Sequence, residues 1–120
     1  MTGMQSSFFE VQQHGDVALL VLTPDRMTEE ENLEQLDRDW VALTDTYQIR
    51  HIVLDLSAVQ YMTSAAIAKL IALHRRLVRN EGQLVLCSLQ PEVTGTLATS
   101  HLLSYFKVAG TPAEALALYA

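Results

Sequence analysis

Residues 52–71 read Ile-Val-Leu-Asp-Leu-Ser-Ala-Val-Gln-Tyr-Met-Thr-Ser-Ala-Ala-Ile-Ala-Lys-Leu-Ile, and their order decides the architecture. The run Ile52 to Leu56 is apolar apart from Asp55 near its end, as in a buried strand. A short loop with Tyr61 and Met62 follows. Thr63-Ser64 then open a helical spacing of Ile67, Leu70, Ile71, His74, Leu77 and Val78. A hydroxyl pair therefore stands at the mouth of a helix that follows a central strand. Helix mouths leave backbone N–H groups unpaired and favour negative charge. A phosphate on Ser64 would be stabilised where it sat.

Working outward, Phe8 to Gln13 reads as a first strand, His14-Gly15-Asp16 as a turn and Val17 to Leu22 as a second strand, together a hairpin. Thr28-Glu29-Glu30-Glu31 fits a capping box, and Leu33, Leu36, Trp40, Leu43 and Tyr47 recur at helical spacing after it. The third strand is His51 to Leu56. The helix opening near Ser64 closes around Gly82, and Gln83 to Leu89 makes a fourth strand. Pro91 opens a helix expected to reach about Ser104, and a fifth short strand is expected between Phe106 and Ala109. Thr111-Pro112-Ala113-Glu114 is a second capping box, leading a short helix with Leu116 and Tyr119. A hairpin followed by alternating helix and strand implies an α/β fold: a mixed sheet of four to five strands, parallel at its centre. Met1–Ser7 is expected to be a flexible tail, residues 8–120 one domain, and the loop Thr23–Met27 mobile.

The central stretch resembles the signature of STAS domains, the sulphate-transporter and anti-sigma-factor-antagonist family. That signature is an apolar strand, Asp-Leu-Ser, a turn with an aromatic, then Asp-Ser-(Ser/Thr/Ala)-Gly-(Leu/Ile). Asp55-Leu56-Ser57, Tyr61, Ser64 and Ile67 match it, while Thr63 replaces the usual Asp and Ala66 the usual Gly. The resemblance covers nearly the whole chain and implies about four helices, largely on one side of the sheet. It also implies a regulatory role. In that family, a kinase that doubles as an anti-sigma factor phosphorylates the serine at the position of Ser64. The unmodified form binds that kinase and frees a sigma factor.

Composition bounds the alternatives. The chain of 120 residues is 49% hydrophobic and 18% charged, which excludes a disordered polymer. No apolar run approaches the roughly 20 residues of a membrane span, and Met1–Ser7 lacks the pattern of a secretory signal. Cys87 is the single cysteine, consistent with a reducing compartment, so a cytoplasmic location is expected. A net charge of −6 argues against nucleic acid as a partner. The basic cluster His74-Arg75-Arg76 with Arg79 reads as a solvated face near a helix C-terminus.

Asp55 and Ser57 are read as loop-structuring residues, Asp55 accepting from backbone N–H groups. Ser64 is both a helix-capping candidate and the phosphoacceptor, with Thr63 as second choice for modification. Tyr61, Met62, Thr63, Ser64, Ala65 and Lys69 form the expected contact set for a protein partner. Ala66, in place of the usual Gly, adds a methyl where a partner would approach closely. Catalysis is not expected. Ser64 lacks the Gly-x-Ser-x-Gly elbow, and His51 opens a strand at whose far end Ser64 follows. His14 and His101 have no paired ligand at metal spacing, and no Gly-rich phosphate cradle exists, so neither metal nor cofactor is expected. The partner implied by the resemblance is an anti-sigma factor with serine-kinase activity. The competing role is a STAS interaction subunit of a transporter ATPase or signalling scaffold that works without phosphorylation. A homodimer through Trp40 or Leu102-Leu103-Phe106 is a further expectation, although both groups suit a core.

Overall fold

The computed structural model describes residues 6–28 and 30–119, without the side chains of Glu30 and Glu31. Its strands are β1 (Phe9–His14), β2 (Val17–Leu22), β3 (Arg26–Met27), β4 (His51–Asp55), β5 (Tyr61–Met62), β6 (Gln83–Cys87) and β7 (Lys107–Ala109). Its helices are α1 (Glu30–Val41), α2 (Ser64–Arg79), α3 (Pro91–Thr99) and α4 (Pro112–Ala117). The main sheet runs β1-β2-β4-β6-β7, with β1 antiparallel to β2 and every other pair parallel. The expected α/β fold, its parallel centre and its N-terminal hairpin are all present.

Register explains why the layers form. Leu20, Leu54 and Leu86 lie abreast across three strands, and Leu19, Val53 and Val85 form the adjacent row. Side chains alternate faces along a strand, so the two rows point to opposite sides. The leucine row joins Leu33, Leu36 and Trp40 of α1, Leu70, Leu73 and Leu77 of α2, and Val93 and Leu97 of α3 in the main core. The Leu19–Val53–Val85 row is covered by α4 through Ala115 and Leu116. Three helices therefore sit on one face and one on the other. Trp40 and Phe106 are 0% and 4% exposed, so both belong to the core and neither offers a dimer surface; Leu102 and Leu103 are partly buried against it.

Two helix ends use the same device. Gly82 N–H donates to Leu77 O (2.7 Å) and Glu81 N–H to Val78 O (3.1 Å), while Glu81 is left-handed at φ 63°. This is a Schellman stop, and its left-handed residue is Glu81 rather than the expected Gly82. Gly82 is needed for another reason, since a Cβ there would collide with the backbone carbonyl of Arg50. Leu102 N–H to Leu97 O (2.8 Å) and His101 N–H to Ala98 O (3.1 Å) close α3 in the same way, with His101 at φ 59°. The helix expected to reach Ser104 therefore stops at Thr99. Its apolar spacing continues through Leu102 and Leu103 only because the following turn also packs on the core.

Two further expectations lie wholly or largely outside the described residues, and a third is altered. The Thr28–Glu31 capping box lies outside the described residues, because Glu29 and the Glu31 side chain do. Of the Met1–Ser7 tail, residues 1–5 are likewise outside, whereas Ser6 Oγ donates to Asp39 Oδ2 (2.7 Å) and Ser7 O accepts from Thr23 Oγ1 (3.3 Å). The Thr23–Met27 loop is tied down: Arg26 and Met27 pair in parallel with Tyr61 and Met62 as a two-stranded sheet. Past α1 the chain widens into a π-helical turn, Ala42–Thr46. Thr44 Oγ1 there donates to the carbonyls of Val41 (3.1 Å) and Trp40 (3.3 Å), a back-bond that competes with regular helix.

Candidate functional site

Asp55 ends β4 at 7% exposure and accepts a hydrogen bond from Ser57 N–H at 2.7 Å. This Asx turn lifts the chain out of the sheet, as a residue two positions on can satisfy the carboxylate. The turn is held further by Leu56 N–H to Cys87 O (3.0 Å) and by Gln90 Nε2 donating to Ser57 O (2.5 Å). Beside the turn, burial pushes the Cys87 thiol up to about 11, with the Asp55 charge adding to the shift.

The chain next passes through β5, where alternation decides exposure. Tyr61 is 38% exposed, and the Arg26 guanidinium lies 4.9 Å from the centre of its ring. Met62 is 3% exposed and belongs to the core. Its place in the expected contact set is corrected by the pleat, which turns neighbouring side chains to opposite faces. Gln60 N–H donates to Asp25 O (2.7 Å) and Thr63 N–H to Met27 O (3.2 Å), so both sides of β5 are fastened to the 25–27 segment.

Thr63 is the N-cap of α2. Its extended backbone (φ −82°, ψ 170°) lets Oγ1 accept from Ala66 N–H at 3.3 Å, while the same hydroxyl donates to Met27 O at 3.4 Å. Ile67 N–H is taken by Thr63 O at 3.0 Å. Among the described residues that leaves the amides of Ser64 and Ala65 as the free donors of the first turn. Ser64 is exposed, and its hydroxyl makes no hydrogen bond among the described residues. The capping role considered for both hydroxyls therefore falls to Thr63 alone. The replacement of Asp by Thr is chemically mild, since both side chains accept at the cap.

Ala66 is 0% exposed and packs in the main core, so its methyl points away from any partner surface. Ala65 is exposed beside Ser64. Lys69 lies on another face of α2, with Nζ 3.9 Å from Asp37 Oδ2 of α1, and is not brought beside Ser64. Arg26 was not foreseen here. Its contact with Tyr61 spans 35 residues of sequence, and a two-residue strand carries no periodic signal that could have announced it.

The histidines considered as bases for Ser64 lie elsewhere. His51, at the start of β4, has its ring 5.3 Å from that of Tyr119, about 13 Å of strand away from Asp55. His74 packs edge-on to Tyr105 and Phe106 at 5.0 and 5.7 Å. Ser64 is left as an exposed hydroxyl in the first turn of α2, next to exposed Ala65. No helix among the described residues is long and apolar enough to cross a membrane.

Comparison with known proteins matches residues 8–115 to the family model described as STAS domain. A Bordetella bronchiseptica protein named as a candidate anti-sigma factor antagonist, BtrV, is 35% identical over 88 residues, spanning 73% of this chain and 75% of its own. A Thermotoga maritima structure titled as a candidate anti-sigma factor antagonist superposes with a TM-score of 0.81 at 21% identity, covering 92% of both chains. The phosphorylated form of SpoIIAA from Bacillus superposes with a TM-score of 0.71 at 16% identity, covering 93% of this chain and 99% of the other.

Proposed function

The chain belongs to the STAS domain family, and from this we propose that it is a partner-switching regulator of the anti-sigma-factor-antagonist type, with Ser64 as phosphoacceptor. It acts as one domain over residues 8–120, in the cytoplasm, and performs no catalysis of its own. Its partner is an anti-sigma factor with serine-kinase activity, docking on Tyr61, Thr63, Ser64 and Ala65.

The division of labour between Thr63 and Ser64 carries this proposal. Thr63 holds the helix end, so Ser64 Oγ is exposed and can take a phosphoryl group without breaking the cap. The added group brings about two negative charges. The Ser64 and Ala65 amides and the helix dipole favour that charge where it forms. For a partner docked over Ser64, the same charge and bulk disrupt the contact. A loss of about 2.8 kcal/mol weakens affinity a hundredfold. The solved phosphorylated SpoIIAA shares this fold, which gives the proposal a precedent in a relative.

The test is intact and tryptic mass spectrometry of the protein from its own cells, with and without phosphatase. A phosphatase-sensitive mass on Ser64 is the expected result. A mass on Thr63 would move the acceptor and conflict with its capping role. Absence of phosphate across several growth conditions would refute the switch and leave a constitutive interaction subunit.

A further inference from the structure

The second half of α2 gathers three of the chain's eight lysines and arginines, in a protein of net charge −6. His74, Arg75, Arg76, Val78 and Arg79 face Tyr105 across an open cavity of about 520 Å³, and among the described residues no carboxylate lines it. Among the described residues the one ion pair is Lys69 with Asp37, so the three guanidinium charges stand uncompensated. Arg75 and Arg79 are exposed at the cavity, while Arg76 and His74 are half-buried beside them. Arg76 and Arg79 lie in the last turn, where the helix dipole favours positive charge. That preference explains charge at the helix end but not the gathering of three unpaired guanidinium groups around one cavity.

Shape and chemistry narrow what would satisfy them. Guanidinium groups present paired N–H donors that match phosphoryl oxygens. A bare phosphate would fill little of a cavity that falls in the usual range for small-molecule sites. The remaining wall is apolar, with Tyr105 41% and Val78 54% exposed. The His74 ring is held edge-on by Tyr105 and Phe106 at the same wall. We infer that this cavity binds a small organic phosphate, its phosphoryl group on Arg75, Arg76, Arg79 and His74 and its apolar or ring-bearing body against Tyr105 and Val78. The site lies ten residues, about 15 Å, along α2 from Ser64 and is separate from it.

Nuclear magnetic resonance of the full chain tests this with phenyl phosphate, inorganic phosphate and phenol as probes. Phenyl phosphate should saturate with a dissociation constant on the order of 1 mM or tighter. Its shifts should be confined to the His74 imidazole, the three arginine side chains and the Tyr105 ring. Inorganic phosphate should bind about tenfold more weakly and phenol not measurably, because neither meets both halves of the site. Arg79→Gln, at an exposed position, and Arg76→Gln should each weaken binding about tenfold, while Arg38→Gln on α1 should not. Circular dichroism verifies that each variant is folded. The inference is overturned if shifts fail to saturate, persist in both Arg76→Gln and Arg79→Gln, or respond equally to phenyl phosphate and inorganic phosphate.

Discussion

Replacing Thr63 by alanine removes the acceptor for Ala66 N–H and the donor to Met27 O at once. Loss of a threonine cap costs about 0.5–2 kcal/mol in general. At 3.3 and 3.4 Å both contacts are long for hydrogen bonds, which places the expected loss near 0.5–1 kcal/mol. In a domain of this size that lowers Tm by roughly 2–5 °C. Thr63→Asp keeps an acceptor and adds a favourable charge at the helix start, about 0.3–1 kcal/mol, but forfeits donation to Met27 O. It should lie within about 0.5 kcal/mol of the parent. Ser64→Ala breaks no hydrogen bond and should be neutral or stabilising by up to about 0.5 kcal/mol. Urea unfolding followed by Trp40 fluorescence separates the three, because Trp40 is the single tryptophan and is fully buried. An unchanged midpoint in Thr63→Ala, or an equal loss in Ser64→Ala, would refute the assignment of capping to one hydroxyl and modification to the other.

Ser64→Asp should weaken capture of a kinase-type anti-sigma factor about a hundredfold by surface plasmon resonance, with the unfolding midpoint close to the parent's. Gly82→Ala forces a methyl against the Arg50 carbonyl and should cost about 2 kcal/mol or more in a urea titration. Cys87 keeps its proton in the fold up to about 11 against an ordinary value of 9.0, so its contribution is complete below pH 9 and lost as pH rises towards 11. Urea midpoints should fall over that window, less steeply in Cys87→Ala. Burial holds the Tyr119 phenol up as well, so it adds to the same alkaline loss. Burial lowers the His74 pKa below 6.5, so its neutral form stabilises the fold above that pH and the benefit is lost on acidification; a proton titration of its imidazole should report the lowered value.

The parts of the fold legible in the sequence were those whose burial leaves a pattern. Val17 to Leu22, His51 to Asp55 and Gln83 to Cys87 are apolar runs because each is covered on both faces, and all three are strands at or near the expected bounds. The α2 start was readable from a hydroxyl followed by helical spacing. Overreach came at α3, where Leu102 and Leu103 prolong the apolar rhythm after His101 has already turned left-handed. Invisible altogether were β3 and β5, two residues each, whose pairing depends on a contact across 35 positions. That omission led directly to the misplacing of Met62, since only the strand pleat separates its fate from that of Tyr61. The hydroxyl pair at the helix mouth was legible, but which of the two caps the helix needed backbone angles that no composition encodes.

The small β3–β5 sheet has a kinetic meaning. With Gln60 and Thr63 fastened to Asp25 and Met27, the peptide leading into Ser64 is set before any other protein arrives. A loop that had to be ordered on docking would surrender conformational entropy at that moment. Here the ordering is already complete in the free chain, so encounters need little rearrangement and association can run near the upper range for rigid surfaces, roughly 10⁶–10⁷ M⁻¹s⁻¹. A chemical change on Ser64 would then be read chiefly in how long a complex lasts rather than in how quickly it forms.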